Sequence, residues 1–313
     1  MENYYSMVKE NADERSELTA RQDADVLLRN LSAYAMKKVD NKTNVTGVVN
    51  VTLNRPKVMA AYVIAALGNT SEQIVVEIED NNFDTDYIKD FRRLAFAAAD
   101  ARLKKKGLWQ LNPYLDEQVC IRGGAAARCL FQMVDGVLIP DIMYWDYRYV
   151  NYEMGIDGYK WASYGYGTKR KRADIESEAW FKALKTQPSI NKDAEVVDVW
   201  TPDGNEIYLG GAKVFEQKHN WGFTPVVIET VSIGSMLSDA DDIKNHGESI
   251  FFLIREAVPE LNRLVSILQT HNLNTIKRAV QTPHPTGRTG TPPDYEAVTA
   301  PGASSSTEPG NRT

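Results

Sequence analysis

DGVLIPDIMYWDYRYVNYEMGIDGYKWASY, residues 135–164, decides the fold class. Two Asp-Gly pairs, Asp135-Gly136 and Asp157-Gly158, stand between β-branched and aromatic runs, and Asp-Gly in a two-residue connection is the chemistry of a tight hairpin. Asp203-Gly204 repeats the pattern downstream. Residues 136–231 therefore read as antiparallel sheet. Within them Tyr144, Trp145, Tyr147, Tyr149, Tyr152, Tyr159, Trp161, Tyr164 and Tyr166 crowd together. Such rings suit base stacking, but strand aromatics pack across sheets and no basic groove accompanies these, so packing is the reading adopted.

Upstream, helices and strands alternate. Residues 22–38 space Val26, Leu27, Leu31, Tyr34 and Ala35 as one helical stripe, whereas 45–53 are β-branched and strand-like. A helix is expected after Arg55, with Pro56 at its first position and Gly68 at its end. Residues 73–79 alternate like a half-buried strand. Phe83-Asp84-Thr85-Asp86 then opens a helix ending at Lys104, Lys105, Lys106 and Gly107, with acids and bases placed to complement its dipole. A third helical segment is expected from Asn112 to about Met133. Sheet and helix together give an α+β class.

Downstream, Ser238-Asp239-Ala240-Asp241-Asp242 supplies cap-like residues. Gly247 to Gln281 then carries Ile250, Ile254, Ala257, Val258, Leu261, Leu264, Val265 and Leu268 at helical spacing, about 50 Å if continuous. Pro259 predicts a kink or a restart with the proline at the first helical position. Lys277 and Arg278 lie near its end, where cations are favourable. Residues 282–313 are dominated by Thr, Pro, Gly and Ser, a composition expected to stay flexible.

The chain of 313 residues is 43% hydrophobic, enough for one or two cored domains. Its net charge of −6 repels phosphate, so bulk electrostatic binding of nucleic acid is not expected. Cys120 and Cys129, if they share a helix, point in opposite directions, which predicts free thiols and a reducing compartment. The polar N-terminus lacks an apolar signal core, and no stretch is long enough to span a bilayer, so a soluble, non-secreted protein is expected.

Catalytic constellations are scarce. His219, His246, His271 and His284 are never at metal-ligand spacing, and neither a zinc nor any other metal or cofactor is expected. No phosphate-binding glycine loop occurs, and Gly165-Tyr166-Gly167 lies among strands. Asp239, Asp241 and Asp242 lack the glycine and distal glutamate of a calcium loop and read as caps. Lys169, Arg170, Lys171 and Arg172 form the one concentrated basic run, a candidate for DNA or interface contact that more commonly decorates a solvated hairpin.

Several segments, in order, resemble tailed-phage portal proteins. Asp135 to Asp141 followed by Trp145-Asp146-Tyr147-Arg148-Tyr149-Val150 and Asp157 to Ala162 is similar to the portal wing, where a D-x-R-x-V pattern precedes an aromatic hairpin. Gly222-Phe223-Thr224-Pro225-Val226-Val227 resembles the portal G-x-x-P strand. Gly247-Glu248-Ser249-Ile250 through Pro259 to Leu264 resembles the G-x-S helix leading into the stem, and the tail is similar to the stretch after it.

The resemblance implies an N-terminal helical arm (1–45), a mixed α/β wing (46–235), a stem helix (236–281) that includes Gly247, Ser249, Pro259, Arg263, Lys277 and Arg278, and the start of a clip (282–313). It implies a non-enzymatic ring subunit, usually one of twelve, around double-stranded DNA. The implied partners are terminase, capsid and tail adaptor proteins, with no membrane; the place is the virion's portal vertex, and the host cytoplasm during assembly. The chain departs from the family by stopping before the remaining clip, second stem helix, tunnel loop and crown. Two rivals stand beside this reading. One is a DNA-processing enzyme in which acids such as Asp141 and Asp146 converge in a pocket. The other is a different virion or scaffold protein using the long helix as a coiled coil, which Pro259 argues against.

Overall fold

A computed structural model describes residues 3–70, 75, 85–134, 136–156, 158–190, 192–231 and 247–276. The chain divides into two compact units, Met1–Asn30 with Arg55–Leu253, and Leu31–Asn54 with Ile254–Thr313.

The first unit is mixed helix and antiparallel sheet. Its helices are α1 (Tyr4–Glu14), α2 (Ser16–Arg29), α3 (Arg55–Gly68), α4 (Thr85–Lys105), α5 (Leu111–Arg122), α6 (Arg172–Ser177) and α7 (Ala179–Lys182). Its strands are β1 (Gly124–Val134), β2 (Val137–Trp145), β3 (Val150–Met154), β4 (Tyr159–Tyr164), β5 (Val196–Trp200), β6 (Gly204–Leu209), β7 (Ala212–Lys218) and β8 (Val226–Thr230). They form one sheet of order β2-β1-β8 and another of order β3-β4-β5-β6-β7. Trp145, Tyr147, Val150, Ala162, Trp200, Val226 and Ile228, drawn from both sheets and the turn joining them, make one buried cluster. The tryptophans and Tyr147 thus act as packing, as expected of sheet aromatics.

Helix α1 is capped by Asn3, whose side chain accepts from Tyr5 N. It sets Val8, fully buried, among Trp161, Val197, Val199 and Tyr208. The expected helix at 22–38 is instead α2, which starts earlier and stops at Arg29. Its buried residues are Leu18, Gln22 and Asp25, while Leu27, from the apolar stripe, is 57% exposed. Pro56 lies in the first turn of α3, where its missing N–H is no loss. The expected strand at 73–79 apart from residue 75, the Phe83-Asp84 helix start, Asp135 and Asp157 lie outside the described residues; α4 carries Asp86 first and Arg102, Lys104 and Lys105 last.

The helix expected over 112–133 is corrected at its midpoint. Gly123 takes the left-handed conformation (φ +67°) and ends α5, after which the chain becomes the central strand β1. A Cβ on Gly124 would fall 2.5 Å from the Tyr147 ring, so this glycine pair lets strand, ring and following turn close together. Cys120 therefore sits on α5 and Cys129 on β1, both as free thiols, and the one-helix argument about their directions does not apply. Burial pushes the Cys120 thiol up to about 11.

The second unit is built on α8 (Ala257–Ile276). Residues 36–38 and 43–45 pair around a turn in which Asp40 accepts from Lys42 N, Thr43 N and the Thr43 hydroxyl. Of residues 45–53, expected as a strand, 46 and 47 form a turn, and none belongs to a sheet. Val49 N, Val51 N and Leu53 N donate to Thr270 Oγ1, Ser266 Oγ and Asn262 Oδ1, at 2.9, 2.8 and 2.9 Å. Thr52 Oγ1 and Asn50 Oδ1 in turn accept from Tyr34 N and Met36 N. An extended segment thus finds its hydrogen-bond partners in helix side chains rather than in a neighbouring strand.

Candidate functional site

The predicted residues from Gly247 to Ser249 are not helical. Residues 247 and 250–256 lie in turns, and α8 begins only at Ala257. Within the first unit the turn is locked. Gly247 has φ +83°, Glu248 and Ser249 are 1% and 0% exposed, and Phe251 is fully buried. Gln22 Nε2 donates to Arg122 O (2.6 Å) and Gly247 O (2.9 Å), Arg21 pairs with Glu248 at 2.9 Å, and the Ser249 hydroxyl donates to Asp25 at 2.6 Å. Ser249 Oγ also accepts from Phe251 N, and Ile250 N donates to Cys120 O. The G-x-S pattern is a buried clasp onto α2 and α5, and the buried Gln22, Glu248 and Ser249 side chains are each hydrogen-bonded within it, as burial demands.

In the second unit, Pro259 occupies the first turn of α8, so neither the kink nor a start with proline at the first helical position is what forms; Val258 N reaches back to Ile254 O. The seam after it runs unbroken. Arg263 is a surface residue paired with Glu260 at 2.8 Å. Lys277, Arg278, the Asp239 to Asp242 caps and the tail lie outside the described residues.

The faces of α8 reverse the usual polarity. Asn262 and Ser266 are 5% and 0% exposed and, with Thr270, receive the 49–53 segment. The Ser266 and Thr270 hydroxyls donate to the carbonyls four residues back, so each hydroxyl both accepts and donates. Leu261, Leu264, Ile267 and Leu268 lie on roughly the opposite side and remain 46–60% exposed. Sequence reading found the leucines but assigned no role to the polar positions, because period alone does not say which face is buried.

Of the basic run, Arg170 is tied to Glu178 at 2.7 Å and Arg172 to Glu176 at 2.6 Å, and Lys171 precedes α6 as its cap residue. Lys169 stands beside them in the loop after β4. Two of the four charges are thus answered within the chain.

Sequence reasoning missed an arginine knot around Asp23. Arg148 bonds both its carboxylate oxygens, with Nη2 to Oδ2 at 2.8 Å, and Arg122 reaches Oδ1 at 2.6 Å. Arg148 is the arginine of the D-x-R-x-V pattern, and Asp146 accepts from Arg148 N. Burial pushes the Asp23 carboxyl up, but the hydrogen bonds from Arg148 and Arg122 outweigh it and hold the group below the ordinary carboxylate range. The knot borders a hollow of about 340 Å³ lined by Arg15, Ser16, Asp23, Arg148, Tyr149 and Tyr166. Neither Asp141 nor Asp146 lines it. Asp141 accepts instead from Gln132 (2.9 Å) and Arg128 (3.3 Å), so the two acids serve separate structural contacts.

Among the described residues no group of three or more His, Cys, Asp or Glu side chains is arranged to hold a metal ion, and no helix is long and apolar enough to cross a membrane. In comparisons with known proteins, no family model and no curated protein matches this chain.

Proposed function

We propose that this chain is a structural subunit of a homo-oligomeric ring, the wing and first stem portion of a tailed-phage portal through which double-stranded DNA passes. The observation that carries the reading is the reversed polarity of α8. A helix that turns Asn262, Ser266 and Thr270 inward and leaves Leu261, Leu264, Ile267 and Leu268 in water keeps an apolar stripe free for another protein surface. In a ring, each copy offers one face to the next and a different face to the one before. The net charge of −6 suits a channel wall along which DNA slides without sticking. By resemblance, twelve copies, a terminase, the capsid and a tail adaptor are its partners.

Negative-stain electron microscopy of the purified chain tests this directly. Closed rings with a hole wide enough for a duplex are expected, and a monodisperse monomer under all conditions would overturn it. The coiled-coil virion or scaffold protein stays as the second reading, because Pro259 in the first turn leaves the Leu261, Leu264, Leu268 spacing uninterrupted. Parallel or antiparallel dimers in place of rings would favour it.

A further inference from the structure

We propose that the loop between β7 and β8 is a docking platform for an extended proline-rich segment, and that its occupant is residues 282–301 of a second copy of this chain. The second-copy source rests on the oligomeric reading above; the platform does not. Trp221 lies on the His219 ring with centroids 4.0 Å apart and planes at 18°, and parallel to the buried Trp200 at 6.4 Å and 7°. Phe223 follows at 6.4 Å from Trp221, and Arg128 covers Trp200 at 5.7 Å. Trp221 and Phe223 are nonetheless 47% and 60% exposed.

These rings are set in place before any ligand arrives. His219 N donates to Asp203 O at 2.9 Å, the Thr224 hydroxyl donates to Tyr159 O at 2.9 Å, and Gly222 turns the chain between the two exposed rings at φ +73°. A preordered aromatic surface loses little conformational freedom on binding. Its imidazole carries no charge, since burial pushes His219 below its ordinary range and keeps it neutral at pH 7.

That chemistry selects among ligands. Arg128 is already engaged by Asp141, which leaves Lys218 as the cation of the 218–225 stretch and makes a polyanion a poor fit. Flat apolar rings with an indole N–H at their edge suit proline rings and the unpaired carbonyls of a polyproline II strand. Residues 282–301 of this chain carry Pro283, Pro285, Pro292, Pro293 and Pro301, and Asp294 directly after Pro292-Pro293 offers the charge complementary to Lys218.

The probe is a synthetic peptide of residues 282–301, titrated into the full chain carrying Pro292→Ala and Pro293→Ala so that its own segment does not compete. Tryptophan fluorescence is the readout. Saturable binding is expected, weakened about tenfold or more by Trp221→Ala or Phe223→Ala, and weakened by Lys218→Glu at low salt. No saturable change, or equal affinity in both ring variants, overturns the platform; Phe223→Ala keeps this outcome readable where Trp221→Ala disturbs the stack. Peptide binding by a chain that never self-associates overturns the second-copy occupant and the ring together, whereas rings without peptide binding overturn this proposal alone.

Discussion

Gly123 and Gly247 meet backbone to backbone, so that a Cβ on Gly123 would lie 2.0 Å from the carbonyl carbon of Gly247. No side chain fits there, and φ is +67° besides. Gly123→Ala is expected to cost about 3 kcal/mol or more, by forced separation of the clasp and by backbone strain. Gly210→Ala, also at positive φ but with open space around it, should cost only about 1 kcal/mol. Urea unfolding of both variants gives the comparison, and equal losses would show that the clasp contact contributes nothing.

Asp23 supplies a pH dependence with a definite sign. Its folded pKa lies below the unfolded one, so its stabilisation is present above the ordinary carboxylate value of about 4 and fades as pH falls through the folded value. Asp23→Asn leaves Arg122, 11% exposed, without its carboxylate. Because the Asp23 side chain is 39% exposed, solvent screening limits the loss to about 1–2 kcal/mol at pH 7. The gap between wild type and variant should narrow steadily in denaturation as pH is lowered below about 4, and a gap of constant size would rule out the knot as its source.

The ladder on α8 is addressable rung by rung. Ser266→Ala removes the acceptor of Val51 N and should cost about 1–2 kcal/mol, since the donor is left part-buried. Amide hydrogen exchange at Val51 should quicken more than at Val49 or Leu53, whose acceptors are Thr270 and Asn262. Uniform quickening of all three would mean that the segment is held by something other than these bonds.

The exposed stripe separates folding from assembly. Leu264 is 56% exposed, so Leu264→Glu should leave the thermal midpoint within about 0.5 kcal/mol of equivalent stability. If the stripe packs on a neighbouring copy, the same change abolishes rings in electron micrographs. Rings that persist in Leu264→Glu would move the subunit contact elsewhere.

What was legible in the sequence followed where burial and hydrophobicity coincide. The strands around Trp145, Trp161 and Trp200, and the helix begun by Arg55-Pro56, were readable because apolar side chains face inward there. Helix α2 was misplaced because its buried face includes Gln22 and Asp25, which mimic a solvated side. The segment from Ala125 to Ala127 looks helical by propensity, and only the Gly123-Gly124 pair before it signals that the chain changes state. The Asp23 knot was invisible because its members come from positions 23, 122 and 148, which only folding brings together. The apolar stripe of the last helix was found, but not that Asn262 and Ser266, rather than the leucines, are covered.

The rungs on α8 also act as a vernier. Two residues of extended chain advance about 6.6 Å, while four residues of helix advance about 6.0 Å, so alignment drifts by about 0.6 Å per rung. At one end Gly47, at φ +77°, turns the chain, and at the other Val258 has no acceptor to offer a further rung. Insertion of one residue between Val49 and Leu53 would rotate the following amides away from the helix, and deletion would do the same. This short stretch therefore tolerates changes of side chain far better than changes of length, and its residue count is the quantity that evolution or an engineer is least free to alter.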